Sequence, residues 1–197
     1  MRKLNKKVVA LLVSLTLVLT IAVGGTLAYL VDKTGSVVNK FNPSSVTTEV
    51  YEEREGNVKK NVKIQNTGDT TAYIRAAVVV TWQDASGNVY GQVPVLDTDY
   101  TISFNTEQQE NPEGKWTLAA DGFYYWNSPV NAGDNTGVLI TEAKLKDGVT
   151  APKVGDVQYY LCIEILGSGV QSKPASVVTD VWSSGVSSVS GTTLTIK

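Results

Sequence analysis

The chain has 197 residues, of which 42% are apolar, with one cysteine, one methionine and no histidine. The missing histidine removes the usual general base, the His-dependent zinc centres and every Ser-His or Cys-His nucleophile pair, and a lone cysteine leaves no intramolecular disulfide to staple the fold. All 19 acidic residues lie beyond residue 28 and four of the 17 basic residues precede it, so the remainder carries a net −6, a poor surface for nucleic acid.

Arg2, Lys3, Lys6 and Lys7 form a basic start, and the 16 residues Val8 to Val23 are uncharged and mostly apolar. A basic region followed by an apolar stretch shorter than the roughly 20 residues of a comfortable span reads as an export signal. Thr26-Leu27-Ala28 supplies the small residues that a signal peptidase requires, which places cleavage between Ala28 and Tyr29. An uncleaved membrane anchor is the alternative, and it leaves the rest of the chain in the same compartment. The expected organisation is a signal peptide over 1–28, an extended N-terminal segment over 29–45 and one domain over 46–197.

Strand candidates follow in order. Val46 to Glu52 is rich in acids and fits a solvated edge strand, and Val58 to Gln65 follows it. In the next run Ile74, Ala76, Val78, Val80 and Trp82 alternate with Tyr73, Arg75, Ala77, Val79 and Thr81, the period of a strand, with the first set expected to face the core. Asp84-Ala85-Ser86-Gly87-Asn88 then has hairpin chemistry, with too few carboxylates for a calcium loop. Further candidates are Tyr100 to Asn105, Phe123 to Asn127, Gly137 to Leu145, Val157 to Leu166 and Thr193 to Lys197. One helix is expected near the C-terminus, with Ser172 as cap, Pro174 in the first turn, Val177, Val178, Val181 and Trp182 on one face, and Gly185 as its end. Ser183 to Ser190 reads as a connector. The expected fold is all-β, a jelly-roll-like β-sandwich with one short C-terminal helix, preceded by a signal-peptide helix.

Three groups invite a chemical reading. Phe123-Tyr124-Tyr125-Trp126 is the densest aromatic cluster, and on an open sheet such rings stack on sugars, but strand alternation turns two of them into the core. Asp97 and Asp99 resemble paired carboxylates, although acids flanking a strand are more commonly solvated loop residues. Cys162, in an apolar run, reads as a small buried hydrophobe. No catalytic residue, metal ligand or cofactor is expected.

Gly24-Gly25-Thr26-Leu27-Ala28-Tyr29-Leu30-Val31-Asp32 followed by Val38-Asn39-Lys40-Phe41 resembles the export segment of the TasA and camelysin family. Val62 to Gly68 before Ala72-Tyr73-Ile74-Arg75, and Asp121 to Trp126 with Val130 to Asp134, are similar to that family's inner strands and turns. The resemblance implies a jelly-roll subunit of extracellular biofilm matrix fibres, or a related cell-surface protein, processed by a dedicated signal peptidase. Camelysin-type members are often labelled metallopeptidases, and without histidine or an H-E-x-x-H helix this chain has no zinc centre to support that activity. A surface module that binds polysaccharide or another protein is the other functional class. Expected partners are the signal peptidase during export and further copies of the chain, with the membrane touched only through the signal segment. Leu30, Val31, Val37, Val38 and Phe41 become an apolar end once Ala28 is cut, suited to strand addition on a neighbour or on the chain's own domain.

Overall fold

The structure, a computed structural model, describes residues 45–106, 109–110 and 113–197. The signal segment, the cleavage pair Ala28 and Tyr29, and the donor-strand residues Leu30, Val31, Val37, Val38 and Phe41 lie outside the described residues.

The fold is all-β with one short helix. In chain order the strands are β1 (Thr48–Glu55), β2 (Val58–Asn66), β3 (Ala72–Gln83), β4 (Tyr100–Phe104), β5 (Gln109–Glu110), β6 (Glu113–Gly114), β7 (Trp116–Leu118), β8 (Tyr124–Val130), β9 (Ile140–Leu145), β10 (Lys153–Val154), β11 (Val157–Gln158) and β12 (Tyr160–Gln171). Helix α1 (Ser176–Val181) and the hairpin β13 (Val186–Ser190) and β14 (Thr193–Ile196) complete the chain. One antiparallel sheet has the order β1-β2-β9-β4 and a second has the order β12-β3-β8-β7. Small two-stranded ribbons, β5-β6, β10-β11 and β13-β14, decorate them.

The alternation read from residues 73–82 holds where it matters. Ile74 and Ala76 are buried in the main core, Val78 and Val80 pack against it, and Trp82 is buried further along the strand. Val62, Ile64, Ile140 and Ala143 of the first sheet meet Ile74, Trp116, Trp126 and Ile163 of the second in one apolar core, so the two sheets are packed face to face. Full burial of each large side chain contributes about 1.5–3 kcal/mol, enough to serve in place of a disulfide. The two tryptophans sit at a centroid distance of 5.6 Å. Trp116 Nε1 donates to the Gly137 carbonyl at 2.8 Å, whereas Trp126 Nε1 is buried with no partner among the described residues.

Sequence reading missed a second core on the far side of the second sheet. Tyr73 and Tyr125, on the face opposite Ile74 and Trp126, are buried together with Val170 beneath Val178 of the helix, Trp182 just after it, and Val186 and Leu194 of the last hairpin. The C-terminal 22 residues from Ser176 thus form a cap, and the sheet beneath them is covered on both faces.

Three local expectations are corrected. Ser172 does not cap the helix: β12 runs on to Gln171, and the Ser172 N–H continues the pairing to the Thr71 carbonyl, so the N-cap is Ala175 without a side-chain bond. Val181 points to solvent, 60% exposed, because a helix this short fully buries only Val178. The connector Ser183 to Ser190 contains β13: Val186 and Val189 are three residues apart, and an irregularity between Val186 and Ser188 lets both pack into the second core.

Candidate assembly edge and its pocket

β1 is an edge strand of its sheet, as its acidic composition suggested, and β12 is an edge of the other. The two lie side by side without pairing in a ladder. They come closest where Val46 and Thr48 pass Gly167 and Gly169; a Cβ at Gly169 would stand 2.6 Å from Val46 Cγ1, so glycine is required for the crossing. Towards the β1–β2 turn the strands splay and leave a pocket of about 190 Å³ floored by Val58, Ala143, Leu145, Leu161 and Ile163.

The rim of the pocket is charged. Asn61 adopts a left-handed φ of 52°, and β1 carries an irregularity between Tyr51 and Glu53, so Glu52, Arg54 and Lys59 come together on one side of the hairpin. Lys59 Nζ lies 2.6 Å from Glu52, with its side chain only 14% exposed, and Arg54 Nε reaches the same carboxylate at 2.8 Å from an open position. Partial burial pushes the Glu52 carboxyl up, but the hydrogen bonds and charges of Lys59 and Arg54 outweigh it and hold the group below its ordinary value. Further along, Glu55 pairs with Lys60, and Glu53 accepts from Asn61. An edge so furnished with charge resists casual strand pairing.

A depressed folded pKa places the Glu52 contribution above the unfolded value, and the contribution is lost as pH falls through the folded one. The expected result is that the wild-type urea midpoint drops between about pH 5 and pH 3 by more than that of Glu52→Gln. Parallel pH profiles for the two proteins would show that the cluster adds nothing to stability.

Cys162 lines the same pocket and is half-buried, not enclosed as its apolar run suggested, because it sits at the start of an edge strand. Desolvation, and then the neighbouring Glu164, push its thiol up, which keeps it protonated and a poor nucleophile.

Each of the other groups singled out from sequence has a structural occupation. All four rings of the aromatic run are packed: Tyr125 and Trp126 are buried on opposite faces, Tyr124 stacks on Phe104 at 4.5 Å, and Phe123 lies under the Arg75 guanidinium at 4.0 Å. A sugar platform therefore has no open ring there. Arg75 also lies 5.0 Å from the Trp182 ring and donates to Ser168 Oγ and the Tyr125 hydroxyl. Burial pushes the Tyr125 phenol up, and it donates in turn to Asp121 at 2.8 Å, which also accepts from Ser184. This chain of bonds ties the sheet to the cap.

Asp97 and Asp99 are turn residues. Asp97 occupies a turn with φ 63°, and Asp99 accepts from the Val95 N–H at 2.8 Å. The Asp84 carboxylate accepts from the N–H groups of Ser86 and Asn88 and from the Asn88 amide, which builds the turn after β3. Among the described residues no three His, Cys, Asp or Glu side chains converge.

Comparison with known proteins adds no relative: no family model, no curated protein and no solved structure matches the chain.

Proposed function

We propose that the chain is an exported structural protein, a subunit of extracellular biofilm matrix fibres or of a cell-surface layer, with no catalytic role. In this reading the signal is cut between Ala28 and Tyr29, and the released segment carrying Leu30, Val31, Val37, Val38 and Phe41 adds as a strand to a neighbouring subunit. The observation that carries the reading is the splayed β1/β12 edge, where two edge strands lie unpaired to each other above an apolar pocket able to take a side chain from an added strand. The sequence supplies a segment of the matching kind, apolar residues spaced by Asp32, Lys33 and Gly35.

The sandwich is, in the same proposal, a jelly roll. Support comes from its central strands: β2-β9-β4 and β12-β3-β8 join strands that are not consecutive, and the connections between them pass from one sheet to the other. The outer strands depart from the simplest such arrangement, since β1 and β7 stay beside their sequence neighbours β2 and β8.

Domains starting at Tyr29 and at Val46 separate the possibilities. Sedimentation and electron microscopy should find filaments with the first and monomers with the second. Equal polymerisation of both would remove the segment from the mechanism, and monomers in both would remove the fibre.

A further inference from the structure

Among the described residues twelve large hydrophobic side chains are well exposed, and five of them, Tyr51, Val79, Leu118, Leu166 and Val181, stand on separate elements. The other seven fall in two stretches of chain. Val89, Val93, Val95 and Leu96 lie between β3 and β4, and Val154, Val157 and Tyr160 lie in and beside the β10–β11 ribbon. The stretches meet: Tyr90 packs on Tyr159 with ring centroids 4.8 Å apart, and the Lys146 N–H donates to the Asp99 carbonyl at 3.0 Å. Both gather at the end of the molecule marked by Gln83, since Gln83 bridges to Val89 and pairs with Tyr160. Val93 is 76% exposed, in an extended stretch before Pro94 that has no strand partner.

Scattered apolar residues need no explanation, but exposed apolar side chains gathered on two stretches that meet at one end of a domain mark an interaction surface. Its charge narrows the partner. Residues 84–99 hold Asp84, Asp97 and Asp99 with no basic residue, and residues 146–160 hold Asp147 and Asp156 against Lys146 and Lys153, which leaves a net −3 around the patch. A bilayer rich in anionic lipid is repelled by such a rim, and so is the same pole of a second copy.

We infer that this pole is a docking surface for a protein segment that is apolar and net basic. Its apolar side chains cover Val89, Val154 and Val157, and its basic residues meet the aspartates. The surface lies away from the Arg75 network and is separate from strand addition along β1 and β12.

The probe is a soluble peptide of about twelve residues alternating Val or Leu with Lys, compared with its Glu counterpart on the exported protein. The Lys peptide should bind at least tenfold more tightly than the Glu peptide, weaken in high salt, and slow amide exchange in residues 89–96 and 153–160. Val93→Asp with Val95→Asp, both at exposed positions, should reduce its affinity tenfold or more while the folded spectrum is unchanged. Equal affinity for the two peptides, or protection elsewhere on the molecule, overturns the inference. So does protection of these stretches by neutral phosphatidylcholine vesicles without binding of the Lys peptide, which would make the pole a lipid surface. Stretches already protected in the exported protein and unmasked by removal of residues 29–44 would show that the chain's own segment covers them, and would overturn it too.

Discussion

Replacing Asn66 with alanine is expected to cost the domain about 3–5 kcal/mol, because buried polar groups stripped of their partners each lose about 1–3 kcal/mol. Asn66 is fully buried at the end of β2. Its amide donates to the carbonyls of Thr70 at 2.8 Å and Val130 at 2.9 Å, and its Oδ1 accepts from the Gly68 N–H. Val130 belongs to the second sheet, so one side chain closes the β2–β3 turn and fastens the two sheets together at this end. The turn also holds the lead-in to β1: the Thr67 N–H donates to the Thr47 carbonyl, the Asp69 N–H to the Ser45 carbonyl, and the Ser45 N–H to Asp69 Oδ1. Asn66→Ala should therefore lower the thermal midpoint by roughly 10 °C, at about 2–4 °C per kcal/mol for a domain of this size. Asn66→Asp should cost more, since a carboxylate oxygen would face two carbonyls with no proton to share. Thr67→Ala is the control, as its exposed hydroxyl bonds only to Thr47 and its loss should stay within about 0.5–1 kcal/mol. An Asn66→Ala midpoint within a few degrees of wild type would mean that water replaces the amide and that the turn is not the fastening.

That residue shows what a sequence conveys and what it withholds. Asn66-Thr67-Gly68-Asp69 is legible as a turn from composition alone, but the side chain's task depends on Val130, which lies 64 residues away. The long strands were readable because each has one face on the main core and alternates accordingly, with Ile74, Ala76 and Trp82 the clearest case. Burial of Tyr73 and Tyr125 was not readable, because it depends on a cap that begins about a hundred residues beyond Tyr73. Short elements were lost for a related reason. β7 has three residues, Trp116, Thr117 and Leu118, too few to establish a period, and its place is fixed by pairing Trp116 with Trp126. The end of β12 was misplaced since Gly167 and Gly169 read as a strand terminus, whereas they stay in the ladder and give β1 room to cross. At the β1 edge the acidic character is visible in the sequence, but the convergence of Glu52, Arg54 and Lys59 is not, because it follows from a left-handed Asn61 and a bulge that local composition does not announce.

Gly185→Val is expected to detach the cap while leaving the two-sheet core folded. Gly185 follows the helix, where a Cβ would stand 2.5 Å from Cε2 and 2.6 Å from Cζ of Tyr125, and valine adds two methyl groups beyond that. Either the tyrosine or the cap must move. Tyr125 is fully buried in the second sheet, paired in register with Arg75 and Thr117, and its hydroxyl is held between Arg75 and Asp121. The cap is held by fewer ties: the apolar contacts of Val178, Trp182, Val186 and Leu194, the bond from the Tyr73 hydroxyl to the Thr192 carbonyl, and that from Ser184 to Asp121. Overpacking of this kind costs about 1–3 kcal/mol and occasionally more, and it falls on the element that yields most easily. Hydrogen exchange should show residues 176–196 losing protection at least tenfold, with β2, β3 and β9 unchanged. The uncovered face carries Tyr73, Tyr125 and Val170, so the variant should also bind a hydrophobic dye and self-associate through that sheet. Gly185→Ala should show the same pattern in weaker form. If exchange instead rises uniformly across both sheets, the cap and the sandwich are one cooperative unit, and Tyr125 is the part that gives way.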